Sequence, residues 1–163
     1  MPEKIETYIY TAAQIEVLTN GDVKLKTINN WATAAYWLSI LEPGRRGYPR
    51  KYSRENVIEA VLAAKFARIG MDRALFREFL AEQAALAKGL DVLFAPASEG
   101  DRLSWMLTTD YAAESTDTAT WRLQSLRAGP LTAGIAELGD VAVIIPISNL
   151  VWQVDQYLSG SAE

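Results

Sequence analysis

The chain has no cysteine and no histidine. Disulfides, thiolate chemistry, thiolate metal sensing, imidazole catalysis and the common zinc sites are therefore excluded before any motif is sought. Long apolar runs are missing too. The longest, VAVIIPI from Val141 to Ile147, falls far short of the roughly 20 residues that a membrane span needs. The opening MPEKIETYIY lacks the basic-then-apolar order of a secretory signal. A cytoplasmic address is expected, with no membrane partner. Basic residues are scarce in one half only: residues 89–163 hold 3 Lys and Arg against 10 Asp and Glu, whereas residues 1–88 hold 13 against 10. The net charge of −4 is thus +3 in the first part and −7 in the second.

Against these absences stand an apolar fraction of 50%, enough for one sizeable core or two small ones in 163 residues, and a knot of positive charge. Between Lys24 and Arg54 the charged residues are Lys24, Lys26, Arg45, Arg46, Arg50, Lys51 and Arg54, with Glu42 the single acid. Because salt screens distant charges within about 8 to 10 Å, such a local field attracts polyanions even on an acidic protein.

The elements around the knot follow from spacing. Thr11 with Gln14 three residues on makes a capping box that opens a helix, and Ile15 and Leu18 supply its apolar stripe. Thr19 to Asp22 (TNGD) is a turn. Helical spacing resumes with Ile28, Trp31, Ala32, Ala35 and Leu38 on one face, and Pro43 and Gly44 end it. Two helices joined by a short glycine-containing turn, with Lys24 and Lys26 at the leading end of the second, have the order of a helix-turn-helix. Ser53 is a good N-cap for a helix with Val57, Ile58, Val61, Leu62 and Ile69 facing a core and Gly70 as its C-terminal cap. A fourth amphipathic run carries Leu75, Phe76, Phe79, Leu80 and Leu86. Pro43, Gly44, Gly47 and Pro49 make the loop between the second and third helices read as a short two-stranded ribbon.

Tyr10-Thr11, Thr27-Ile28 with Trp31, Gly47-Tyr48, Arg50-Lys51-Tyr52-Ser53 and RIGMDRALFREFL occur in the order of MerR-type DNA-binding domains, and residues 8–80 resemble that family, with Asn29 and Asn30 where it usually has arginine and tyrosine, a longer segment from Ala32 to Glu42, and Pro49 within the wing motif. The resemblance implies a winged helix-turn-helix in which a recognition helix and a wing grip duplex DNA. Arg45, Arg46, Arg50 and Lys51 are the expected phosphate contacts, since arginine's planar fork matches phosphate oxygens. Lys26, Thr27, Asn29 and Asn30 are candidates for base edges, asparagine being able to make a bidentate contact to adenine, and Lys24 is a further DNA-binding candidate beside them. Tyr48 and Tyr52 can place hydroxyls on phosphates while their rings pack the wing. Tyr52, Trp31 and Trp37 are expected in the core. The fourth helix ends at Gly89, short of the coiled coil by which many members of that family dimerise, so a homo-oligomer is expected to form through another surface.

Beyond Leu90 the period changes. The stretches 101–112 and 118–129 alternate as strands around a turn at 112–117, Gly139 to Pro146 reads as a third strand, and Ile147, Leu150, Val151, Val154 and Leu158 mark a closing amphipathic helix. The expected fold class is α+β: a winged helix-turn-helix over residues 1–88 and, over 89–163, a small antiparallel sheet with a C-terminal helix that serves oligomerisation, an effector or a protein partner. Asp101, Asp110, Glu114, Asp117 and Asp140 offer carboxylates, but no pair has a spacing that demands convergence. There is no GxSxG, phosphate-cradling glycine loop or metal-ligand cluster, so neither an enzyme nor a cofactor is expected. The expected function is a DNA-binding transcriptional regulator. The alternatives are a DNA-architectural or packaging protein of excisionase or terminase-small-subunit type, and an antitoxin-like interaction protein.

Overall fold

The computed structural model describes residues 8–68, 73–96, 104–110, 120–126 and 142–160, the stretches 104–110, 120–126 and 142–145 by their backbone alone. The chain divides into two compact units, Met1–Ala95 with Gln156–Glu163, and Pro96–Asp155. Expectations that fall on Ile69, Gly70, the turn at 112–117 and the carboxylates of Asp101, Glu114, Asp117 and Asp140 lie outside the described residues.

The first unit opens with α1 (Ala12–Leu18), started by the reciprocal cap: Gln14 N donates to Thr11 Oγ1 at 3.3 Å and Thr11 N to Gln14 Oε1 at 2.8 Å. Asn20 and Gly21, both at positive φ, turn the chain, and α2 (Leu25–Thr33) follows. The leading end of α2 has no cap from its own N-cap residue; instead Glu16 of α1 accepts the Leu25 N–H at 3.0 Å. α3 (Arg54–Arg68) begins at a second reciprocal cap, in which Ser53 N donates to Asn56 Oδ1 at 2.9 Å and Asn56 N to Ser53 Oγ at 3.2 Å. From Asn56 to Ala64 every residue of α3 is buried, which makes it the central helix of this unit. α4 (Arg73–Ala87) buries Phe76, Phe79 and Leu80, and the rings of Phe76 and Phe79 meet Phe66 of α3 in tilted contacts at 4.9 and 5.5 Å. Leu75 and Leu86, expected on the apolar side of α4, are exposed. A short α5 (Leu90–Leu93), which the sequence reading missed, follows the turn at Lys88 and Gly89. α6 (Ile147–Gly160), which belongs to the second unit up to Asp155 and to the first from Gln156, buries Ile147, Leu150, Val151, Val154 and Leu158 at helical spacing.

The expected α+β class is corrected: six helices make up the part of the chain that is described with its side chains. The expected wing is corrected with it. Instead of a two-stranded ribbon, the segment between Pro43 and Pro49 forms a single turn closed by Tyr48 N donating to Arg45 O at 3.1 Å. The reason is chemical: proline lacks the N–H that a ladder requires, and each arm of the supposed ribbon carries one. The nearest pairing is an isolated bridge between Tyr10 and Tyr52. In the second unit β1 (Ser104–Asp110) pairs antiparallel with β2 (Thr120–Leu126) and β3 (Ala142–Pro146), Leu107 standing opposite Leu123 and Val143.

The second helix also ends sooner than its apolar spacing suggests. α2 stops at Thr33, and Ala35 sits at φ 56. A buried carboxylate explains the departure. Glu59, fully buried on α3, accepts Leu38 N and Ser39 N, each at 2.9 Å, and Ser39 Oγ at 2.5 Å. These donors are unavailable to a continuing helix, so the chain leaves α2 to wrap the carboxylate. Arg73 supplies the counter-charge, Nη2 to Glu59 Oε1 at 2.7 Å. Its guanidinium lies 4.8, 5.5 and 4.9 Å from the ring centroids of Trp31, Trp37 and Phe76, whose negative faces receive the cation where water cannot. Burial pushes the Arg73 pKa below the ordinary arginine value, with Glu59 acting in the opposite direction. Asn56 completes the network by donating to Ser39 Oγ at 2.7 Å and to Ile40 O at 3.0 Å.

Candidate nucleic-acid interface

The polar face of α2 and the loop at 43–51 are tied together by Tyr52. Its ring is fully buried, 5.7 Å from Trp37, which in turn meets Trp31 edge-on at 6.0 Å. Its hydroxyl donates to Asn29 Oδ1 at 3.4 Å, placing the C-terminal base of the loop against the middle of α2. Burial raises the Tyr52 pKa, and the nearby Arg50 charge opposes that shift.

The loop is closed by one acid. Glu42 accepts Lys51 N on its carboxylate at 2.7 Å and Arg50 Nη1 on its carbonyl at 2.6 Å. Gly44 allows this closure, because a Cβ there would stand 2.9 Å from Arg50 Nη2. Gly47 has φ 84 with open space where a Cβ would be, so glycine serves the turn's backbone and not its packing. The role of Glu42 went unread in the sequence, although its position as the only acid between Lys24 and Arg54 was the available signal.

The ten candidate residues fall into distinct settings. Arg45 and Arg46 are exposed on the turn, Lys26 is exposed on α2, and Lys51 is half-buried at the loop's base; none of the four makes an ion pair among the described residues. Lys24 is exposed and pairs with Glu16 at 3.2 Å. The Leu25 N–H and then Lys24 hold the Glu16 carboxyl below its ordinary pKa. Arg50 is half-buried and committed to Glu42 as described. Asn29 and Asn30 are exposed on α2 and Thr27 is half-buried beside them. Tyr48 is 76% exposed, so the expected packing of its ring onto the helices is corrected. Arg54, the last cation of the knot, belongs to the scaffold: it donates to Phe94 O at 2.7 Å. A further cation, Arg68, pairs with Asp22 in the turn between α1 and α2 and is raised in pKa by that hydrogen bond.

Among the described residues no group of three or more acidic side chains could hold a metal ion, and no helix is long and apolar enough to cross a membrane. Compared with known protein families and with curated proteins, the chain matches no family and no curated sequence.

Proposed function

We propose that this chain is a DNA-binding transcriptional regulator that meets duplex DNA with the exposed face of α2 and the basic loop. One observation carries the proposal: Lys26, Arg45, Arg46 and Lys51 stay without an ion-pair partner among the described residues of an acidic chain, on two elements that Tyr52 fastens together. Unpaired cations on an anchored surface gain most from a polyanion, because each phosphate they neutralise releases condensed counterions. In this role the turn's arginines hold the phosphate backbone, and Asn29 and Asn30, polar and uncharged, face the base edges. The Tyr52 hydrogen bond to Asn29 Oδ1 orients that amide with its NH2 group free to donate. The resemblance to MerR-type domains supports the same role, with the helix pair α1 and α2 retained and the ribbon replaced by a turn. The protein would work in the cytoplasm as a homo-oligomer, a second copy adding effective concentration on the DNA, and would use no cofactor.

Fluorescence anisotropy of the full chain with a short random duplex, titrated with salt, tests this. Saturable binding that weakens steeply as salt rises is expected. Absence of binding at low salt would overturn the assignment.

A further inference from the structure

The loop at 43–51 presents something that phosphate binding does not call for. Tyr48 stands at its turn with 76% of its surface exposed, and its ring meets no other aromatic ring among the described residues. Three features hold it there. The Arg45 carbonyl accepts the Tyr48 N–H at 3.1 Å, Gly47 turns the backbone at φ 84, and Pro49 restricts Tyr48 to extended backbone. The arms of the turn are closed below it by Glu42, through Arg50 Nη1 at 2.6 Å and Lys51 N at 2.7 Å. Arg45 and Arg46, exposed and without ion-pair partners among the described residues, precede it by three and two positions.

We infer that Tyr48 is a wedge: its ring enters between two base pairs of the duplex, stacks on an exposed base face and kinks the DNA. This rests on the DNA-binding role proposed above and specifies its mode. A tyrosine whose work is done by its hydroxyl can keep its ring in the fold, as Tyr52 does in donating to Asn29 Oδ1. Tyr48 leaves its ring in water, and an aromatic ring has little to gain from a phosphate but much from a base, since every base has a π-face. The ordering cost is small because a tyrosine has two side-chain torsions and the turn is already closed. The neighbouring arginines hold the turn against the backbone at the edge of a groove, where apolar wedges are known to open base steps and bend duplexes by about 20 to 90°.

Two variants of the full chain separate the ring from the hydroxyl. Tyr48→Phe keeps the ring and removes the hydroxyl; Tyr48→Ala removes both. Each is titrated with a duplex labelled at its two ends, so that anisotropy reports affinity and energy transfer between the ends reports bending. The native chain and Tyr48→Phe should bring the ends together equally. Tyr48→Ala should bind more weakly, by less than the roughly 150-fold upper limit of one lost base stack because opening the step costs unstacking energy, bend the duplex less, and keep the native salt slope because no charge is removed. Unchanged thermal unfolding of Tyr48→Ala is expected for an exposed ring and certifies the comparison. If Tyr48→Phe loses as much affinity as Tyr48→Ala, the hydroxyl is the contact and the wedge is refuted. Native affinity and bending in Tyr48→Ala refute it as well, leaving DNA binding intact. Failure of the native chain to bind duplex at all removes both the role and the wedge.

Discussion

Replacing Glu59 by alanine would strike the point on which the segment after α2 depends. Its carboxylate accepts Leu38 N, Ser39 N, Ser39 Oγ and Arg73 Nη2, and is fully buried. The largest loss comes from Arg73: breaking a buried ion pair by removing one partner costs about 3 to 5 kcal/mol, because the other charge remains without compensation. The backbone donors of Leu38 and Ser39 add less, since the segment they belong to can release into water. A total near 4 kcal/mol is a large part of the roughly 5 to 15 kcal/mol that holds a domain folded. Arg73→Met should cost less than Glu59→Ala, because the carboxylate keeps three donors and methionine still fills the space among Trp31, Trp37 and Phe76. The double variant Glu59→Gln with Arg73→Met should cost less than the sum of its parts, as neutral replacement of both partners usually does. Urea unfolding of the full chain and of these variants, with Glu59→Gln alone added to complete the cycle, followed by tryptophan fluorescence, reads the costs, Trp31 and Trp37 lying against the guanidinium. A cost below about 1 kcal/mol for Glu59→Ala, the range of an average substitution, would refute the assignment of Glu59 as the anchor of residues 38 and 39.

Two further outcomes follow from the site. The Glu16 carboxyl is held below its ordinary pKa by the Leu25 N–H and then by Lys24; a depressed folded pKa contributes stability that is present above the unfolded value and lost as pH falls through the folded one. Acid titration of the urea midpoint should therefore show a component below the usual carboxylate range that Glu16→Gln lacks, and identical pH profiles would remove Glu16 as the cap of α2. Replacing Asn29 and Asn30 together with alanine should relax sequence preference by about 1 to 3 kcal/mol of discrimination while leaving random-duplex affinity nearly unchanged. Selection of preferred sites from a random pool measures this, and an unchanged preferred site would take both residues out of base recognition.

Local signals were legible where the physics is local. The Thr11–Gln14 and Ser53–Asn56 caps involve residues three apart, and Thr11, Gln14 and Ser53 could be read directly. The burial of Tyr52 and Trp37 followed from aromatics being costly to leave in water. What failed was non-local. The early end of α2 depends on Glu59, about 20 residues away in the chain, and nothing in the Ala32–Leu38 pattern signals that a buried carboxylate will capture the backbone donors of Leu38 and Ser39. α3 is buried along a continuous stretch from Asn56 to Ala64, so its apolar stripe understated its central place. Leu75 and Leu86 match helical spacing but lie outside the covered face of α4. In the basic loop, composition pointed to the charge but not its division of labour: Arg45 and Arg46 are left to solvent, while Arg50 closes the loop and Arg54 braces Phe94.

The salt dependence of DNA binding by Arg45→Ala with Arg46→Ala tests the central claim most directly. If each arginine neutralises one phosphate, the slope of log affinity against log salt should fall by roughly 1.8 for each loop engaged, at about 0.9 per charge removed. Preferred and random duplexes should lose affinity almost equally, because phosphates carry no base identity. Stability should change by less than about 0.5 kcal/mol, both side chains being exposed. A folded double variant that keeps the native slope and affinity would contradict the account and remove the basic loop from the DNA-binding surface.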